Sequence, residues 1–327
     1  MKGLLSWLAA AMVAAVLCNC ALWLCHDPAV WIAREGGATD AIWHPGARLV
    51  MGTEGRGVHR VDSRGYLNPE KPLGSDYVLV VGSSFTQGKE VPAGQRFSDI
   101  LNRELSGSDG TLAVYNVSQD GFYLPDILRC FPALMAEFPD AGALVIEIGT
   151  TAFSEDALLA EPDIPDPAAR GPALMQAMPS WRKLILQFKE ALPILTLGKS
   201  QLMAMKTPEP EKSLVPATAE KLKTALTGLR RQFDGEIYIL YHPPVTLSED
   251  GMAVAEEKTT ADFRAACEDT GLIFVDVSWD FLAAYEETWA VPYGFSNTAP
   301  ASGHLNAQGH RVCAEALLPL LKGGGGE

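Results

Sequence analysis

Basic residues are scarce in this chain and never cluster. Its 327 residues include 26 Lys or Arg against 40 Asp or Glu, a formal net charge of −14 at pH 7. A nucleic-acid partner needs a basic face to displace the counterions of its phosphates, and this sequence supplies none. Neutral substrates suit such a surface better. Also missing are any CxxC motif and any Cys/His spacing of the zinc-binding kind, so neither a metal nor a cofactor is implied. Internal repeats are absent. Disorder is argued against by the composition, 47% hydrophobic with 20% charged residues. The six cysteines split evenly. Cys18, Cys20 and Cys25 lie in or beside an apolar run, as small hydrophobes or, for Cys18 and Cys20, as lipidation sites. Cys130, Cys267 and Cys313 fall in the body, an odd number that allows at most one intradomain disulfide.

Long hydrophobic runs are equally rare, and the one present sets the expected compartment. Lys2 is followed by apolar residues from Gly3 to Cys25, with Asn19 the only strongly polar member. About 20 such residues cross a bilayer as a helix. A signal-peptide core is shorter, about 7–15 residues, and ends at a small-x-small site that is not evident here. Residues 1–25 therefore read as an uncleaved signal anchor, with a cleaved signal peptide as the alternative. Lys2 on the short flank places the N-terminus inside and the body on the extracytoplasmic side, periplasmic or cell-surface.

Beyond the anchor, residues 26–75 read as a stem and lead-in strand, 76–322 as one catalytic domain, and 323–327 as a flexible tail. Continuous apolar strands are expected over 77–81, 112–116, 143–148, 236–241 and 272–276. Helices are expected over 94–105, 125–138, 216–233, 253–270 and 306–321. Strands of this kind alternating with helices predict a three-layer α/β/α sandwich around a mainly parallel five-stranded sheet. Ligands then gather beyond the strands' carboxyl ends. Residues 155–215 interrupt the alternation. They open Pro-rich and continue with Met175, Met178, Trp181, Ile185, Phe188 and Leu192 at helical spacing. This reads as a helical insertion packed on the core, or as a cap over the site or a membrane- or partner-facing surface.

Four elements at the expected sheet edge carry chemistry. The first strand runs into Gly82-Ser-Ser-Phe-Thr-Gln-Gly88, where a serine hydroxyl can point into a cleft and a following helix can direct N–H groups at an oxyanion. Asn116-Val-Ser-Gln-Asp-Gly121 follows the second strand, and Ile148-Gly-Thr-Thr151 the third. Ser302-Gly-His-Leu-Asn-Ala-Gln-Gly-His310 opens the last helix. His242, in Tyr241-His-Pro-Pro244, reads either as a loop residue held by two prolines or as a pocket residue. His310 reads as a cap or packing residue of the final helix.

In order and spacing these blocks resemble those of the SGNH/GDSL hydrolase family, over residues 60–321. Gly82 to Gly88 is similar to its Gly-Asp-Ser block, Ser118 to Gly121 to its glycine block, Gly149-Thr-Thr151 to its Gly-x-Asn-Asp block, and Gly303-His-Leu-Asn306 with Gly309-His310 to its His block. Arg60 to Tyr66 is similar to a lead-in strand of bacterial members. The resemblance implies a flavodoxin-like fold, Ser84 as nucleophile and His304 as its base. It further implies an oxyanion hole from the N–H groups of Ser84 and Gly121 and the Thr151 hydroxyl. The letters depart at three places. Ser83 stands for the usual Asp, Thr151 for the oxyanion Asn, and Ala301 for the Asp that orients the base. The last reduces the expected triad to a Ser84–His304 dyad unless a backbone carbonyl or another acid orients the imidazole. The implied activity is hydrolysis of O-acyl esters, with O-acetyl groups on a cell-surface or exported carbohydrate as the expected substrate. The alternatives are an O-acyltransferase working beside polysaccharide export partners, and a non-catalytic carbohydrate-binding or assembly protein.

Overall fold

The computed structural model describes residues 2–25, 31–33, 41–108, 110–159 and 216–323. The apolar run forms helix α1 (Lys2–Cys25). Its segment Gly3–Leu22, mean hydropathy 2.0, is long and apolar enough to cross a membrane and has no buried residue. Two short strands, β1 (Trp31–Ala33) and β2 (Ala41–Trp43), pair antiparallel, and a hairpin follows from β3 (Arg48–Met51) and β4 (Gly57–Arg60). The stem segment thus has structure of its own. Trp43, Leu49, Val61 and Leu67 form a small separate core.

The main sheet consists of β5 (Leu73–Val81), β6 (Leu112–Asn116), β7 (Ala141–Ile148), β8 (Glu236–Tyr241) and β11 (Ile273–Asp276), all parallel, in the order β11-β8-β7-β5-β6. Counting these five along the chain gives the order 2-1-3-4-5 of flavodoxin-like folds. Side-chain alternation divides the core in two. Tyr77, Leu79 and Val81 of β5 face one way, with Leu144, Ile146, Ile237 and Ile239. They meet α4 (Leu124–Glu137), α6 (Ala219–Arg230) and α7 (Thr260–Asp269) through residues such as Phe131, Leu226 and Phe263. Val78 and Val80 face the other way, with Val114, Val145 and Leu240. They meet α3 (Phe97–Leu105), α8 (Ser278–Thr288) and α9 (Ala307–Gly323) through Leu101, Phe281 and Leu317. Burial on both faces explains why the strands carry apolar residues at consecutive positions.

Two expectations change. The predicted helix over 253–270 starts only at Thr260. Before it, β9 (Val245–Ser248) and β10 (Gly251–Val254) form an antiparallel hairpin. Gly251 follows the Glu249-Asp250 turn at φ 110°, a conformation suited to the chain reversal, and β10 then takes up 251–254, including the first residues of the expected helix. Helix α8 was not expected at all. The insertion predicted for 155–215 lies outside the described residues over 160–215. What is described is its base, the one-turn helix α5 (Glu155–Leu158) and a bridge between Ser154 and Pro216 that brings the two flanks together. Cys130, Cys267 and Cys313 are free thiols.

Candidate active site

Strand β5 has β6 on one side and β7 on the other, so the chain changes direction across the sheet at its carboxyl end. Ligands of open α/β sheets gather at such a switch point. The next residues form the one-turn helix α2 (Ser84–Gln87). Ser83 is its N-cap and accepts from the Phe85 N–H. Asn116, at the end of β6, donates to the Thr86 carbonyl at 2.8 Å. Gln119 N–H donates to the Gly82 carbonyl at 3.0 Å and Gln87 to that of Ser118 at 3.2 Å. These bonds tie the second loop to the serine turn. Lys89 and Asp120 add an ion pair between the same two segments.

His304 reaches this turn from the loop before α9. Its Nε2 lies 2.9 Å from the Ser84 hydroxyl oxygen, and the Phe85 ring packs at 5.1 Å from the imidazole. The sequence left a dyad unless a backbone carbonyl or another acid orients the imidazole, and an acid stands at Nδ1. Glu54, in the turn between β3 and β4, places Oε2 at 2.8 Å from His304 Nδ1 and accepts the His304 backbone N–H on Oε1 at 2.6 Å. One carboxylate thus holds both the ring and the main chain of the histidine, which fixes the tautomer that presents Nε2 to Ser84. Gly303 permits the approach. It sits at φ 74°, and a Cβ there would collide with the Glu54 carboxylate. The hairpin turn is itself fastened to the 291–306 loop. Asn297 accepts from Gly55 N–H at 2.9 Å and donates to the Gly52 and Gly55 carbonyls.

Charges at the site follow from this packing. Burial pushes the Glu54 carboxyl up, but the hydrogen bonds and charge of His304 outweigh it and hold Glu54 below the usual carboxylate range. Burial pulls the His304 imidazole down, and the hydrogen bond to Glu54 with the charges of Glu90 and Glu54 raises it above its ordinary value. A second acid, Glu90, is almost wholly buried with Oε1 3.9 Å from His304 Nδ1. Burial raises it, against the opposing charge of His304.

Under the serine turn lies a second Glu–His pair. Glu147, on β7, accepts on one oxygen from Ser83 N–H (2.8 Å), the Ser83 hydroxyl (2.8 Å) and the Thr86 hydroxyl (3.0 Å). Its other oxygen is 2.6 Å from His242 Nε2, and His242 Nδ1 is 2.8 Å from the Tyr293 hydroxyl. Burial works to raise the Glu147 carboxyl, yet the His242 imidazole and the Ser83 bonds hold it low, as an anion. His242 is therefore neither a surface-loop residue nor exposed in a pocket; it is a buried support at 1% exposure.

The remaining expected residues separate. Among the described residues, the backbone N–H groups of Ser84 and Gly121 have no hydrogen-bond acceptor. Thr151 is a correction. Its N–H and hydroxyl both go to Glu257, and the hydroxyl also meets those of Thr259 and Thr260 at 2.8 and 3.2 Å. The short side chain is claimed by Glu257 on the loop before α7 and, among the described residues, has no hydrogen bond to Ser84. His310 is buried and accepts from the Phe97 N–H at 3.3 Å, so it caps α3 from within α9.

Fold and site together define an α/β/α protein with a hydrogen-bonded Ser–His–Glu chain at its switch point. Among solved structures, the chain is similar to the esterase EstA from Pseudoalteromonas sp. (12% identity, 76% of this chain and 97% of that one, TM-score 0.41). It is also similar to the acetyl xylan esterase AlAXEase (11%, 75% and 99%, TM-score 0.40) and to TesA (16%, 76% and 98%, TM-score 0.39). Identity and superposition are too low to carry an activity across. No family model matches the chain. No curated protein matches it either.

Proposed function

We propose that this protein is a serine ester hydrolase in which Ser84 attacks, His304 takes its proton and Glu54 orients and charges the imidazole. The observation that carries the reading is the chain Ser84–His304–Glu54, with links of 2.9 and 2.8 Å. In the proposed course the Ser84 oxygen adds to an ester carbonyl as its proton passes to His304 Nε2. The oxyanion is met by the N–H groups of Ser84 and Gly121. Collapse expels the alcohol, which takes the proton from His304, and leaves an acyl-serine. Water activated by the same imidazole releases the acid.

For the substrate we favour an O-acyl, above all O-acetyl, ester on a carbohydrate. Support comes from an adjoining open cavity of about 730 Å³, lined by Arg56, Glu90, Phe295, Asn297 and Gln308 among others. It combines an aromatic ring with hydrogen-bonding groups, a mixture that suits a hydroxylated ring. With α1 as anchor and Lys2 on its short flank, the body would face the extracytoplasmic side.

The test is labelling of the full chain, in detergent, with a fluorophosphonate probe. Wild type is expected to label and Ser84→Ala not to. A folded wild type that stays unlabelled overturns the reading. Acetate release from acetylated xylan, with and without an added acceptor glycan, then separates hydrolysis from transfer.

A further inference from the structure

We infer that Glu147, together with His242, is a positioning residue for Ser84; the inference rests on the hydrolase reading above. Among the described residues, the Ser84 hydroxyl has no hydrogen bond besides the one to His304. Its place is set by the residues on either side, and these converge on a single carboxylate oxygen. Ser83 gives Glu147 Oε2 its N–H and its hydroxyl, and Thr86 gives its hydroxyl, all within 3.0 Å. The geometry is built for this contact. Gly82 leaves the space, since a Cβ there would stand 2.6 Å from Glu147 Oε2 and 2.6 Å from the Thr86 hydroxyl.

The carboxylate is in turn fixed from behind. His242 holds its other oxygen at 2.6 Å, and the Tyr293 hydroxyl lies 2.8 Å from His242 Nδ1, with the carbonyl oxygens of His242 and Pro243 at 2.9 and 2.8 Å as acceptors for its single proton. Glu147, His242, Ser83 and Thr86 are all at most 2% exposed, so no water can take over these bonds. Phe85 completes the support, packed 4.9 Å from His242 and 5.1 Å from His304. A shift of the post would therefore move both partners of the Ser84–His304 bond. Misplacement of about 1 Å in a reacting group costs on the order of 10²-fold in rate.

Relocating the charge provides the experiment. The readouts are the rate of fluorophosphonate labelling, kcat and KM for p-nitrophenyl acetate, and the melting temperature, on the full chain in detergent. Glu147→Gln is expected to slow labelling and kcat roughly 10- to 100-fold with KM unchanged, because an amide oxygen holds the three donors more weakly than a carboxylate oxygen and the amide NH2 is turned toward His242 Nε2. Ser83→Asp is expected to do the same by setting two carboxylates against each other. The double variant Ser83→Asp/Glu147→Gln is expected to recover to within about threefold of wild type, since a single carboxylate is again present in the cluster and the amide oxygen still accepts the backbone N–H of residue 83. A merely structural role would lower the melting temperature without this reciprocal rescue. Should Glu147→Gln fail to fold, Tyr293→Phe removes one hydroxyl from the far end of the same chain and is expected to slow labelling at unchanged KM. Wild-type labelling by the folded single variants, or a double variant no better than Ser83→Asp, overturns the inference and leaves the hydrolase reading intact. Absence of labelling in wild type overturns both.

Discussion

Glu54 has two oxygens and spends both on His304, one on the ring and one on the backbone N–H. A glutamine can satisfy only one of these donors, because its amide nitrogen would face the other. Glu54→Gln is therefore expected to lower kcat/KM by roughly 10²–10⁴-fold, the range in which a misoriented base fails. The pH profile adds a sign. The imidazole must be neutral to accept the Ser84 proton. Against the pull of burial, the Glu54 hydrogen bond and the nearby carboxylates hold its folded pKa above 6.5. The acid limb of kcat/KM should accordingly fall above pH 6.5 in wild type and move down in Glu54→Gln. A limb that stays in place would remove Glu54 from the charging of His304. Ser84 and His304 were legible because each sits in a block at a strand end or helix start. Glu54 was not, because it lies 250 residues from His304 in a Gly-Thr-Glu-Gly turn with nothing local to mark it. The available signal was indirect. The empty acid position at Ala301 left open an acid from elsewhere in the chain.

At the scale of elements, strands buried on both faces were readable from their continuous apolar runs, whereas β9, β10 and α8 were not. The hairpin has one half-exposed face, with Leu247 in the open, and α8 carries exposed Trp279 with only Phe281 fully buried. Neither has the clean periodicity on which such a reading depends. The hairpin β3–β4 is the element on which the site depends most, for its turn delivers Glu54. Asn297 makes three hydrogen bonds to that turn, one accepted and two donated. Asn297→Ala is expected to cost about 1–2 kcal/mol of stability and to reduce kcat/KM roughly tenfold by loosening Glu54. The check is denaturant unfolding alongside steady-state hydrolysis. Loss of stability with unchanged kcat/KM would show that the turn holds Glu54 without this clamp.

At the scale of the molecule, strand order and layering followed from the alternation of strands and helices, because right-handed crossovers leave few ways to arrange five parallel strands. How the upstream segment folds back on the body did not follow, since that contact is made by isolated residues distant in sequence from their partners, Tyr66 against Tyr115 and Phe138 as well as polar ones. His59 is one of them. On β4, it is buried with Nε2 2.9 Å from the Val91 carbonyl and 3.2 Å from that of Lys89, next to the segment carrying Glu90. Burial, aided by the charge of Arg96, pulls its pKa down to about 4 from the ordinary 6.5. The unfolded chain then takes up a proton below pH 6.5 that the folded one refuses until about pH 4. Stability linked to His59 is thus fully present above pH 6.5, is lost as pH falls through that window, and changes no further below it. At pH 5 the loss is about 2 kcal/mol relative to neutral pH. His304 and Glu90 are shifted the opposite way and favour the folded state on acidification. They are common to wild type and variant, so they cancel in a difference. Denaturant unfolding of wild type and His59→Gln at pH 7, 6 and 5 should show the stability gap between them closing by about 2 kcal/mol, or reversing where glutamine replaces the imidazole well. Parallel curves would mean that His59 charges freely in the folded protein, and that the hairpin is not sealed against the body where it delivers Glu54.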